Sequence, residues 1–372
     1  MAADTLRVEP GVAPGATDGG IETAWPRAER RFRAMGTDAH VLVVGPRAAA
    51  LADRAADRIS DLEARWSRFL PTSEISRLNR RAGHPVALSD DSFRLVETAA
   101  AARRLTRGRF DPTLGAELAA LGYDRPLDQV LARPAPGPTP PPPAPLRATA
   151  TARAANRFGP EPVTVDPAAG TATLAPGRSF DPGGIGKGLA ADLVVDELLA
   201  GGGWGALVNL GGDLRVAGVP PSGPTWVVAI DHPHLGPLTT VELTAGGLAT
   251  STTLRRRWPG PDGDVHHLLD PTTGRPHRTG ADHVTVIAGT GWWAEAAATA
   301  LIGTPLPSAV ADPTRATLLP AGCAALLVDP AGRTRRLGGF ESFERPHEPA
   351  QPTAARRGTE PAHGHAPAEA RP

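Results

Sequence analysis

Apolar and polar positions divide the chain into two patterned blocks, about residues 29–124 and 160–340, flanked and separated by polar, proline-rich segments. In the first block, Arg30–Met35 and His40–Val44 alternate as strands around a Gly36-Thr37-Asp38 turn. After Pro46, Leu51, Ala55, Ile59, Leu62 and Trp66 recur at three- and four-residue steps, one apolar stripe of a long helix. Ser73 reads as the N-cap of a short helix through Asn79, with Glu74 in its first turn, and Asp90 or Asp91 as the cap of another running to about Thr106. The second block predicts strands at 163–165, 171–174, 206–210, 213–217, 226–231, 239–243, 283–288 and 324–328, with helices at about 186–200 and 292–302. Many short strands with few helices point to an α+β protein rather than a doubly wound parallel sheet.

Residues 1 to about 28 and 341–372 read as unstructured tails. The stretch from about 126 to 158 reads as a proline-rich insertion, because 134–145 holds eight prolines in twelve positions. The 372 residues are 41% hydrophobic and 21% charged, enough for a sizeable core. Net charge is zero, which gives no sign of a nucleic-acid binder. No run of 18 apolar residues is present, so no membrane span is expected. The N-terminus shows no secretory pattern, and the expected location is the cytoplasm. A lone cysteine, Cys323 in an apolar run, excludes a disulfide framework or a multi-cysteine metal site.

Composition singles out one side chain. Lys187 is the only lysine among 39 basic residues, so a specific task for a compact ammonium is expected there. It sits in Asp181-Pro182-Gly183-Gly184-Ile185-Gly186-Lys187-Gly188, ahead of an apolar helix. Such a loop offers backbone N–H groups to an anion, or serves as a structural strand-to-helix turn. It is neither a P-loop nor a dinucleotide fingerprint. Asn209-Leu210-Gly211-Gly212-Asp213 suits either a hairpin or a site. His266 and His267 are adjacent on a strand, so at most one faces a site. Glu295 and Thr299 lie one turn apart on one helix face, oxygen donors of the kind Mg2+ takes alongside phosphates.

Taken together in order, these segments resemble the ApbE-like FAD:protein FMN transferases. The early signatures are Ala34-Met35-Gly36-Thr37, Ser67-Arg68-Phe69, Ser73 to Asn79, and Gly108-Arg109-Phe110-Asp111-Pro112-Thr113. Later ones are the Asp181 to Gly188 loop, Asn209 to Asp213, Ala249-Thr250-Ser251, His267 to Gly274, and Glu295 with Thr299. The resemblance implies a two-lobed flavin-transferase fold of mostly antiparallel strands and packed helices, with the site between the lobes. It implies FAD as substrate, Mg2+ as cofactor, an acceptor flavoprotein with a Thr or Ser motif, AMP as product, and a monomer or homodimer. It implies His267 and Lys187 as catalytic, and Gly186 (by its carbonyl), Glu295 and Thr299 as metal ligands. It implies Met35, Phe69, Ser73, Asn79, Asp111, Thr113, Asp181, Gly184, Lys187, Thr250, Ser251 and His267 around FAD. The family usually has Asp where Glu295 stands and Ala at Gly186. The alternatives are an FAD pyrophosphatase, in which water replaces the acceptor, and a flavin-binding protein without catalysis.

Overall fold

The computed structural model describes residues 6–8, 25–133, 161–260, 263–278, 280–304 and 315–345. Its centre is an eight-stranded sheet: β1 (Arg27–Ala34), β2 (Thr37–Val44), β3 (Gly205–Leu210), β4 (Asp213–Gly218), β5 (Gly246–Thr252), β6 (His283–Ala288), β7 (Ala324–Val328) and β8 (Thr334–Leu337). The strands lie side by side in chain order and every pairing is antiparallel. This agrees with the α+β architecture expected from the pattern of elements.

Both faces of the sheet are covered, which is why strands such as Val41-Leu42-Val43-Val44 are apolar at every position. Val41 and Val43 pack with Val208, Val286 and Leu327 on one face, while Leu42 and Val44 pack with Leu207, Val216 and Ile287 on the other. Successive side chains of a strand point to opposite faces, so a continuous apolar run requires two cores. The first face is covered by three long helices: α1 (Ala48–Trp66), α6 (Gly186–Ala200) and α7 (Gly291–Leu301). Between α1 and α6 the chain forms α2 (Glu74–Arg80), α3 (Asp90–Leu105), α4 (Gly115–Ala120) and α5 (Leu127–Leu131). Helix α6 is buried on nearly all sides, through Leu189, Ala190, Leu193, Val194 and Leu198. It has no single apolar stripe, as a helix enclosed by neighbours requires none. The second face is covered by a three-stranded sheet of Leu6–Val8, Trp226–His232 and Gly236–Leu243. A third, small core gathers Leu114, Leu118, Val130, Trp258, Val265 and Leu269 around α4 and the hairpin of Arg257–Gly260 with Gly263–His266.

Several local expectations shift. The first hairpin turns at Met35 and Gly36, with φ of 50° and 69°, and Thr37 and Asp38 already belong to β2. Two consecutive left-handed residues make the tight turn whose twist matches paired strands. Ser89 precedes α3, with Asp90 and Asp91 in its first turn; Ser89 is held by Glu74, whose carboxylate accepts from its N–H and its hydroxyl, each at 2.7 Å. Ser73 does cap α2, accepting from the Ser76 amide at 2.9 Å. Strand β5 lies outside the apolar pattern, because Gly246-Gly247-Leu248-Ala249-Thr250-Ser251-Thr252 has small residues where apolar alternation is expected. Leu6–Val8, inside the stretch read as a tail, pairs with Val228–Ile230, and β1 begins at Arg27. Helix α5 falls within the stretch read as the proline-rich insertion; residues 134–160 and 346–372 lie outside the described residues.

Candidate active site

The site forms where the N-terminus of α6, the start of β4, the end of β5 and the first face of α7 converge. The Lys187 Nζ lies 2.8 Å from Asp213 Oδ2 and donates to Glu295 Oε1 as well. It also reaches the Gly183 carbonyl at 3.3 Å. The second Glu295 oxygen accepts from the Gly188 amide at 2.8 Å, and Asp213 Oδ1 accepts from the Thr250 amide at 3.1 Å. Burial disfavours the Lys187 ammonium, but the carboxylates of Asp213 and Glu295 outweigh it and raise its pKa above the ordinary lysine value. Burial pushes the Glu295 carboxyl up to about 7, against the pull of Lys187, and the charge of Asp213 acts in the same direction as burial. Burial is the larger cause, and the sharing of one ammonium by two carboxylates adds to it.

That imbalance bears on whether Mg2+ fits. Among the described residues no group of three His, Cys, Asp or Glu side chains is arranged to hold a metal. A metal here depends on hydroxyl, carbonyl and phosphate oxygens around one carboxylate, the set Mg2+ accepts when bound with a nucleotide. Glu295 and Thr299 share one face of α7, and Thr299 Oγ1 lies 3.2 Å from Ser251 Oγ. The pair of carboxylates on a single ammonium retains negative charge for a further cation. The donors fit a hard divalent ion.

The glycine loop is more closed than the sequence suggests. The Gly183 amide donates to Asp181 Oδ1 at 2.8 Å, and those of Ile185 and Gly186 donate to the Pro182 carbonyl at 3.0 and 2.7 Å. These N–H groups hold the turn together and are not presented to an anion. Gly184 is required for packing: a Cβ there would lie 3.0 Å from the Phe110 ring and 3.3 Å from Thr299 Oγ1. Gly188 is required for helix contact, since a Cβ would collide with the Gly291 backbone where α6 crosses α7. Asp192 of α6 completes that junction by accepting from the Gly291 and Trp292 amides at 2.7 and 2.9 Å, capping α7 from a neighbouring helix.

Thr250 and Ser251 face opposite sides of the sheet. Ser251 meets Thr299 on the helix face, whereas the Thr250 hydroxyl bonds to that of Thr285 at 2.8 Å on the other, leaving only its backbone amide in the site. The two histidines also separate. His266 is buried and structural: its Nε2 lies 2.9 Å from the His277 carbonyl and its Nδ1 accepts from the Leu268 amide. His267 has a buried Nδ1 without a partner among the described residues. Burial, with the positive charges of Arg256, His266 and Lys187, holds its pKa well below the ordinary histidine value, so the ring is neutral at pH 7.

The remaining predicted residues lie in the turns, loops and α2 of the first block and, for Asp181, at the start of the glycine loop. Met35 occupies the strained turn position and is half-buried. Asp181 Oδ2 pairs with Arg68 Nε at 3.0 Å, and the Arg68 guanidinium lies over the Phe69 ring at 4.2 Å and the Tyr123 ring at 4.8 Å. Tyr123 in turn packs on Trp258 at 5.1 Å. The polar groups of four residues brace these loops. Ser73 bonds to the Ser67 carbonyl, Asn79 bonds both ways with the Phe180 backbone, and Asp111 accepts from the Thr113 amide and hydroxyl. Reading single segments singles out neither Asp213 as the second carboxylate on Lys187 nor Arg68 as the partner of Asp181.

A model of the ApbE family matches residues 35–315. The FAD:protein FMN transferase of Vibrio cholerae serotype O1 is 28% identical over 254 residues, covering 67% of this chain and 71% of the relative. That of Treponema pallidum is 29% identical over 291 residues, covering 72% and 75%. The solved ApbE protein of Thermotoga maritima shares the fold with a TM-score of 0.72 at 24% identity, over 86% of this chain and 100% of that one. The apo form of the flavinyl transferase ApbE of Pseudomonas stutzeri gives 0.68 at 26% identity, over 86% and 97%.

Proposed function

The chain belongs to the ApbE family, and from that premise we propose that it is a Mg2+-dependent FAD:protein FMN transferase. It transfers FMN from FAD to a Thr or Ser hydroxyl of an acceptor protein and releases AMP. The observation that carries this reading is the buried Lys187, Asp213 and Glu295 cluster facing the Ser251 and Thr299 hydroxyls, with a neutral His267 beside it. Phosphoryl transfer depends on fixed charge and positioning more than on covalent catalysis, and this cluster supplies both in a water-poor setting.

In the proposed reaction the acceptor oxygen bonds to the FMN phosphorus as the bridge to the AMP phosphate breaks. His267 Nδ1 takes the acceptor proton; a general base of this kind contributes about 10^2 to 10^4 in rate. Lys187 holds Glu295 and Asp213 in place. Bound through Glu295, Thr299 and the Gly186 carbonyl, Mg2+ would neutralise pyrophosphate charge. Met35 and Phe69 are proposed to contact FAD. Ser73, Asn79, Asp111, Thr113, Asp181 and Gly184 are proposed to shape the loops around it.

The test combines purified protein, FAD, Mg2+ and a protein bearing a Thr acceptor motif. In-gel flavin fluorescence after denaturation is read together with released AMP. A fluorescent band with equal AMP, both lost with EDTA and with His267→Ala, is the expected result. AMP without a band indicates hydrolysis to FMN. Bound FAD with neither product indicates a flavin-binding protein and overturns the catalytic assignment.

A further inference from the structure

We propose that Arg256 is a phosphate-binding residue of this site, its guanidinium receiving the pyrophosphate of the flavin dinucleotide. The inference rests on the transferase reading and adds a residue to it.

The first observation is register. Arg257 pairs with His266 and Trp258 with Val265 in the hairpin beyond β5. The ladder ends at the Arg257 and His266 pair, and the residues just beyond it stay in contact, because the His267 ring bonds to the Arg256 backbone. The second is environment. Arg257 is exposed and bonds back to the Thr253 carbonyl at 3.1 Å, whereas Arg256 is half-buried and its charge bears on both Lys187 and His267. The third is the lack of a counter-charge: among the described residues no carboxylate pairs with Arg256, whereas Lys187 is held by two. The fourth is strain. Arg256 has φ of 48°, a conformation a glycine adopts freely and an arginine does not. A strained non-glycine residue at a site edge, half-buried and unpaired, is retained for what its side chain does. A planar, five-donor guanidinium is suited to two phosphate oxygens at once.

The experiment uses the full chain and inorganic pyrophosphate, titrated by calorimetry with EDTA present at two salt concentrations, with FAD titrated in parallel. Arg256→Gly is expected to keep or raise the thermal midpoint, because it relieves the backbone. It should weaken pyrophosphate binding roughly tenfold to a hundredfold, the loss of a charge-assisted pair, and flatten its salt dependence. Arg256→Lys should recover part of the affinity, keeping the charge without the fork. Arg256→Gly binding pyrophosphate within twofold of the parent overturns the inference, as does a lowered midpoint with unchanged salt dependence. A parent that binds FAD but not pyrophosphate overturns this inference alone. A parent that binds neither overturns the transferase reading as well.

Discussion

Lys187 Nζ and Asp213 Oδ2 meet at 2.8 Å, tying the first turn of α6 to the first residue of β4 across a buried interface. Because Glu295 shares the same ammonium, Lys187→Met leaves two buried carboxylates without a cation. Breaking a buried pair in this way costs about 3–5 kcal/mol, so a midpoint lowered by roughly 10 °C is expected in thermal denaturation. Lys187→Arg should rescue little, since a planar fork cannot replace a point charge between two carboxylates.

The adjacent histidines should separate chemistry from stability. His267→Ala is expected to lower flavin transfer by about 10^2 to 10^4, a loss out of proportion to the one ring bond to the Arg256 backbone that it removes, since Nδ1 has no partner among the described residues. His266→Ala removes a bond to the His277 carbonyl and should lower stability by about 1–3 kcal/mol. Rates measured well below the midpoint of each variant distinguish the two.

The crossing of α6 and α7 controls where Glu295 and Thr299 stand. Asp192→Ala leaves the Gly291 and Trp292 amides uncapped and should cost about 1–2 kcal/mol. Gly188→Ala forces the helices apart at Gly291 and should cost about 1–3 kcal/mol. Both are expected to lower Mg2+ affinity, read by titrating the metal in the transfer assay.

Acid sensitivity should trace to His283, which lies at the start of β6 with both ring nitrogens unpartnered among the described residues and its ring 4.9 Å from that of His232. Burial, with the charges of His232 and Arg255, lowers its pKa to about 3. The folded protein therefore keeps the ring neutral while the unfolded chain protonates near 6.5. Stability is intact above that value and is lost as pH falls toward 3, by about 2 kcal/mol at pH 5. His283→Leu is expected to flatten the dependence of the denaturation midpoint between pH 7 and 5.

Much of this arrangement was legible in the chain. The stripe of Leu51, Ala55, Ile59, Leu62 and Trp66 gave α1, and apolar runs at 206–210 and 283–288 gave strands of the central sheet, because burial leaves a period in the sequence. The isolated Lys187 and the four-residue step from Glu295 to Thr299 pointed to the candidate site, because one helical turn sets two side chains on one face. The order of motifs pointed to the family.

The tertiary structure decided what local pattern does not encode. It placed Asp213 on Lys187, although 26 positions separate them in the chain. It turned Thr250 away from Ser251, since β5 is paired on both sides and its pleat assigns alternate residues to different faces. It closed the glycine loop on Asp181 and Pro182 rather than leaving its amides open. It brought the Arg256 backbone to the His267 ring just beyond the ladder that pairs Arg257 with His266. Local periodicity reports which side of an element is buried; which charges face one another across that buried side follows only from how the elements pack.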